Sequence, residues 1–173
     1  MKRIFQISLL VLVAVAFSSN AQAQEDKSKR PSPPAVAEGK VDGVNIKIDY
    51  SSPAVKGRTV WGELVPYGKV WRTGANEATT IETDGDIRIE GMPLPKGRYA
   101  IFSVPNEKSW EIRFNSEADQ WGAYRYDESK DVLRVDVAPQ AASEFAERLK
   151  FDVGKGMIVI TWENVSVPIK VSK

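Results

Sequence analysis

The sequence predicts an all-β fold, an antiparallel β-sandwich of jelly-roll-like or open-barrel type, with at most a short helical turn near residues 140–146. Three observations carry this. Apolar and polar residues alternate with a period of two along much of the chain. Turn dipeptides punctuate the alternating runs. The strands so marked recur about every 8–12 residues, without the intervening helical patterns of βαβ units.

The elements follow in order. Val44, Ile46, Ile48 and Tyr50 alternate with Asn45, Lys47 and Asp49, the mark of a strand with one buried and one wet face. Ile87 and Ile89 alternate with Arg88 and Glu90, Trp110, Ile112 and Phe114 with Glu111 and Arg113, and Leu133, Val135 and Val137 with Arg134 and Asp136. Val165, Val167, Ile169 and Val171 alternate with Ser166, Pro168 and Lys170. Tyr99–Val104 and Met157–Trp162 are nearly continuous apolar runs, expected as strands buried on both faces. Asp42-Gly43 and Asp84-Gly85 are expected as hairpin turns. Pro95-Lys96-Gly97, Asn106–Ser109 and Gly154-Lys155-Gly156 separate further strands. Pro168 has no N–H to donate, which places the last strand at a sheet edge. Pro139–Lys150 alone has helix-forming composition. A strand through Leu149, Phe151 and Val153 competes with that helix, so at most a helical turn near 140–146, followed by a strand, is expected.

The domain organisation is simple. Lys2 and Arg3 precede an uncharged apolar run from Ile4 to Phe17, and Ala21-Gln22-Ala23 closes it, which reads as a signal peptide at 1–23 cut after Ala23. The run is shorter than the ~20 residues that span a bilayer, and no cysteine follows it for a lipid anchor. The expected location is therefore periplasmic or extracellular, with no membrane insertion after cleavage. Residues 24–35 are charged and proline-rich, expected as a flexible lead. Residues 36–173 form the single β-sandwich domain.

Composition excludes whole classes of chemistry. The chain has no histidine and no cysteine, so Ser-His-Asp triads, thiol nucleophiles and zinc sites of the usual ligands are absent. Loss of Lys2 and Arg3 leaves 22 basic against 23 acidic residues, a formal charge of −1. A near-neutral domain offers no electrostatic case for nucleic acid. No metal and no cofactor is expected. Asp127, Glu128 and Asp131 lack the spacing of a calcium loop and read better as a solvated turn. Glu63 and Glu77 are a formal glycosidase pair, with nothing to prefer them over other carboxylates.

Alternation breaks down between Ser51 and Thr80, where Trp61, Tyr67 and Trp71 sit among Arg58, Lys69, Arg72, Asn76 and Glu77. Aromatic faces with a few fixed polar groups are how sugar and peptide pockets are commonly built. The competing reading makes Trp61 and Trp71 core residues, Arg72 with Glu77 a structural ion pair, and Thr73-Gly74-Ala75-Asn76 a tight turn. A second aromatic group, Gln120-Trp121-Gly122-Ala123-Tyr124, either walls the same pocket or forms ordinary cross-strand pairs.

The runs GKVWRTGANEATT (Gly68–Thr80), PLPKGRYAIFSVP (Pro93–Pro105) and QWGAY (Gln120–Tyr124) resemble the bacterial domain-of-unknown-function family 2911. The resemblance spans roughly Arg30 to Val171. It implies an exported bacterial domain and lends no catalytic residue. Arg58, Trp71, Arg72, Gly74, Asn76, Glu77, Trp121 and Tyr124 fall on the family's characteristic stretches.

The expected function is non-catalytic binding of a small ligand, a glycan or a peptide. Arg58, Trp71, Arg72, Asn76, Glu77, Trp121 and Tyr124 are the candidate contacts. A carboxylate-based glycan hydrolase and an envelope structural protein are the alternatives.

Overall fold

Residues 26–173 are described in a computed structural model. The expected signal peptide at 1–23 and its cleavage point lie outside the described residues. Strands β1 (Pro34–Val41) and β2 (Val44–Ser51) form a hairpin closed by Asp42-Gly43, with Val41 opposite Val44. Both turn residues have positive φ, as a type I′ hairpin requires. A long excursion over residues 52–78 leads to β3 (Thr79–Thr83), which pairs with the far side of β2. The short strands β4 (Ile87–Ile89) and β5 (Met92–Leu94) come next, followed by β6 (Gly97–Val104), β7 (Trp110–Asn115) and β8 (Asp131–Val137). The chain ends in a long hairpin of β9 (Gln140–Gly154) and β10 (Met157–Ser172).

These strands make two antiparallel sheets, ordered β1-β2-β3-β6-β7-β8 and β5-β4-β10-β9. Ile46, Ile48, Ile81, Ile101, Ile112 and Phe114 of the first sheet meet Ile87, Ile89, Phe151, Ile160, Val167 and Ile169 of the second in one core. Four tryptophans, Trp61, Trp71, Trp110 and Trp162, share that core, with ring centroids 4.9 to 6.2 Å apart. The expected sandwich is thus present, as two facing sheets not closed into a barrel.

The alternation holds where one face is wet: β8, and β2 as far as Ile48, bury every second residue. Strand β6 is buried on both faces, as its apolar run predicts. On its outer face Ala100 and Phe102 are covered by Val70, Ala78, Ala123 and Tyr126. Residues 157–162 differ from expectation: Met157 and Val159 are only half-buried, because the outer face of the β9–β10 hairpin has no covering layer among the described residues.

The one helical candidate resolves to strand, and three further expectations are corrected. No helical turn forms near 140–146, because β9 is extended throughout, registered on β10 from Gly154 opposite Met157 to Gln140 opposite Ser166. Long-range pairing there overrides the helix propensity of its alanines and glutamates. Asp84-Gly85 does not close a hairpin; it carries the chain from β3 in one sheet to β4 in the other. Asp84 is held against β2, accepting hydrogen bonds from Asn45 N and Nδ2. Strand β10 is internal to its sheet, and Pro168 is tolerated because it falls between the residues paired to β9 (ending at Ser166) and those paired to β4 (Val171 and Ser172). Pro34 and Ala35, placed in the lead by composition, already belong to β1, paired with Ser51 and Tyr50.

Candidate functional site

The site is built on one tight turn. Trp71 bridges Ser103 of β6 through two backbone hydrogen bonds, Trp71 N to Ser103 O (2.8 Å) and Ser103 N to Trp71 O (2.9 Å). The chain then reverses through Thr73-Gly74-Ala75-Asn76. Thr73 and Asn76 have φ of 52° and 55°, a region that costs a β-branched residue energy and that Asn tolerates. The strain at Thr73 is held by its surroundings. Its hydroxyl bonds Ser103 Oγ (3.0 Å), and its carbonyl accepts from Thr79 Oγ1 (2.8 Å). Trp71 Nε1 donates to Gly74 O (3.0 Å). A Cβ on Gly74 would sit 2.8 Å from Thr79 Oγ1 and 3.2 Å from Ser51 O, so only glycine fits.

This turn aims Asn76 and Glu77 at the second aromatic group. Glu77 forms an antiparallel bridge with Trp121. Ala78 N donates to Gln120 O (2.9 Å) and Gly122 N to Asn76 O (3.0 Å). The loop between β7 and β8 is itself anchored from below. Phe102 and Tyr126 pack edge to face at 4.8 Å. Asn115 Nδ2 donates to Asp127 O (2.9 Å) and Asp131 Oδ1 (2.8 Å). The Tyr126 hydroxyl accepts from Arg113 Nη1 (2.8 Å) and donates to Asp131 Oδ2. Burial and the Asp131 hydrogen bond push the Tyr126 hydroxyl up to about 12 against the opposing pull of Arg113. Asp127 caps a short 3-10 turn at Glu128–Lys130, so these carboxylates serve the loop. No group of three acidic side chains suited to a metal occurs among the described residues.

Segment 26–33 runs across the same site. Lys27 Nζ donates to Glu77 Oε1 (2.8 Å), and Arg30 Nη1 reaches both carboxylate oxygens of Glu77 (3.1 and 3.0 Å). The Arg30 guanidinium also lies over the Trp121 ring, 5.7 Å from its centroid. Asn76 Nδ2 donates to Ser32 O (2.9 Å) and Ser51 Oγ (3.2 Å). Partial burial pushes the Glu77 carboxyl up. The hydrogen bonds from Lys27, its own backbone and Arg30 outweigh burial and hold it at about 2. The structural ion pair expected for Arg72 with Glu77 is thus made instead by Lys27 and Arg30.

Beside these residues an open cleft of about 370 Å³ is lined by Tyr50, Glu77, Arg98, Asp119, Gln120 and Trp121, with Lys27 and Arg30 forming one wall. Trp121 is 56% exposed. Gln120 is buried; its Nε2 donates to Glu117 O (2.6 Å), while its Oε1 accepts no hydrogen bond among the described residues. A buried acceptor left unpaired costs roughly 1–3 kcal/mol unless something supplies a donor.

The candidate residues therefore separate. Asn76, Glu77 and Trp121 converge. Trp71 lies behind them in the tryptophan cluster, 9% exposed, where no ligand stacks on it. Arg58 folds back on its own loop, donating to Val55 O and Ala54 O. Arg72 and Tyr124 neighbour each other but do not line the cleft. Burial pushes the Arg72 guanidinium down from its ordinary value, and its Nε has no hydrogen-bond partner among the described residues. Sequence reasoning missed Lys27, Arg30, Tyr50, Arg98 and Asp119.

Compared with known families, residues 32–171 match the family described as Protein of unknown function (DUF2911). The chain belongs to the DUF2911 family. The match covers both sheets and the whole Thr73–Glu77 and Gln120–Tyr124 meeting point of this DUF2911 domain, and it begins just after Arg30. No curated protein and no solved structure matches the chain.

Proposed function

We propose that this DUF2911 protein is an exported, non-catalytic binding domain that holds a short glycan or peptide in the cleft beside Glu77 and Trp121. One observation carries the reading: a large indole stands more than half exposed over a cleft lined by charged and polar side chains. An apolar ring with fixed polar groups around it orients a polar ligand. The cleft carries Lys27, Arg30 and Arg98 against Asp49, Glu77 and Asp119, so charged and polar groups of both signs are available to a polar ligand. Export rests on the N-terminal sequence pattern.

Hydrolysis is less well supported. A glycosidase acid must be protonated at working pH, and Glu77 is held ionised by two cations. Glu63, the other carboxylate of the formal pair, does not line the cleft.

The test is a thermal-shift screen of glycans and short peptides, followed by calorimetric titration of wild type and Trp121→Ala. A ligand that raises the melting temperature of wild type and not of Trp121→Ala supports the reading. Ligands that stabilise both proteins equally point away from this cleft.

A further inference from the structure

Glu77 and Trp121 make a site with a definite chemical preference. A carboxylate beside an exposed indole face attracts a cationic side chain from two directions, by a charge-assisted hydrogen bond and by the ring's negative face. In this structure the chain's own Arg30 takes both contacts, and Lys27 adds a second cation to Glu77. The Arg30 side chain is 12% exposed there, so a guanidinium can be nearly enclosed at this point.

The segment that delivers these cations is lightly held. Residues 26–29 are exposed, and their short 3-10 turn buries nothing. Its backbone bonds are internal, Lys29 N to Asp26 O and Arg30 N to Lys27 O. Firmer attachment to the body begins beyond it, at Ser32 O with Asn76 Nδ2 and at Pro33 O with Ser52 N (2.9 Å). Surface ion pairs such as Lys27–Glu77 are worth at most about 1 kcal/mol. Arg30 is held more firmly, by the Glu77 carboxylate and the Trp121 ring together, so it is displaced only by a ligand that makes the same contacts and gains others alongside.

We propose that Glu77 and Trp121 form a receptor for a cationic side chain, that Lys27 and Arg30 occupy it as an internal stand-in, and that the external ligand is a peptide carrying arginine or lysine. This rests on the binding reading above and narrows its ligand class. The incoming side chain replaces Arg30 between carboxylate and indole. The adjoining peptide lies in the cleft, beside Tyr50, Arg98 and Asp119. The internal stand-in lowers apparent affinity by the fraction of time it occupies the site.

The probe is a fluorescent peptide, Gly-Arg-Gly with blocked ends, titrated by anisotropy against Gly-Gln-Gly and a neutral glycan panel. The expected result is that Lys27→Ala/Arg30→Ala in the full chain binds the arginine peptide about tenfold more tightly than wild type. Glu77→Gln weakens it by about tenfold or more in both backgrounds. Arg30→Gln alone, which keeps the turn, gives a smaller gain in the same direction and serves if the double variant does not fold. A neutral ligand that binds through Trp121, while removal of the two cations leaves arginine-peptide affinity unchanged, overturns this inference and leaves the binding reading intact. If no glycan or peptide of any charge binds either protein, the binding reading falls and the inference with it.

Discussion

Glu77 and Trp121 pair as an antiparallel bridge, with the carboxylate of one and the ring of the other meeting the same guanidinium. Neither belongs to a named strand of either sheet. The sandwich positions them indirectly, through the strained Thr73–Asn76 turn on one side and the anchored β7–β8 loop on the other.

The tryptophans divide by depth, and their substitutions should divide the same way. Trp162→Ala removes a ring 2% exposed in the core and is expected to cost about 3–5 kcal/mol. Trp121→Ala is expected to cost no more than about 1 kcal/mol, chiefly its contact with Arg30. Urea unfolding of both variants measures the difference.

Gly74→Ala tests the turn. The added Cβ meets Thr79 Oγ1 and Ser51 O inside van der Waals distance, so backbone must move at a cost of about 1–3 kcal/mol. Because the turn aims Glu77, ligand affinity should fall together with stability.

Glu77 gives a pH dependence of known sign. Its carboxyl is held at about 2, below its ordinary value of 4.5, so the folded state prefers the ionised form. The stabilisation is fully present above about pH 5 and is lost as pH falls from about 4.5 to about 2. The carboxylate is more than a third exposed, so the full effect is about 1 kcal/mol at low salt. The stability difference between wild type and Glu77→Gln should shrink over that window in chemical unfolding, and a difference that stays constant contradicts the ion-pair account.

Arg72 gives the opposite kind of prediction. Its guanidinium is partly buried with an unpaired Nε and no carboxylate partner among the described residues. Removing a charge that is desolvated and uncompensated is expected to be neutral or stabilising. Arg72→Met should leave the melting temperature unchanged or raise it, and a clear fall would show an interaction that the geometry does not contain.

The parts of the fold legible in the sequence are strands with one wet face and the continuous apolar run of β6. Strands β2, β7 and β8 announce themselves because solvent selects polar residues at every second position. Strand β3 does not, because Thr79, Thr80 and Thr83 are buried polar residues around a single Ile81. The first half of β9 carries a helical signal because alanine, glutamate and arginine have that local propensity, and its pairing with β10 is set by distant residues. The site shows the same limit. Composition marks Trp71 and Trp121 alike as large and aromatic, and only packing separates the 9% exposed ring from the 56% exposed one. Lys27 and Arg30 sit in a charged, proline-rich stretch that composition assigns to solvent, and their partner Glu77 lies 50 and 47 residues away, beyond any local pattern.

The central claim is that the cleft beside Glu77 and Trp121 takes a ligand. The most direct measurement is amide and indole chemical-shift mapping during titration with the glycan and peptide panel. The account predicts shifts concentrated on the Trp121 indole N–H and the amides of Glu77, Ala78, Gln120 and Gly122. Shifts concentrated on the outer face of the β9–β10 hairpin around Phe145, or no shift for any ligand, would contradict it.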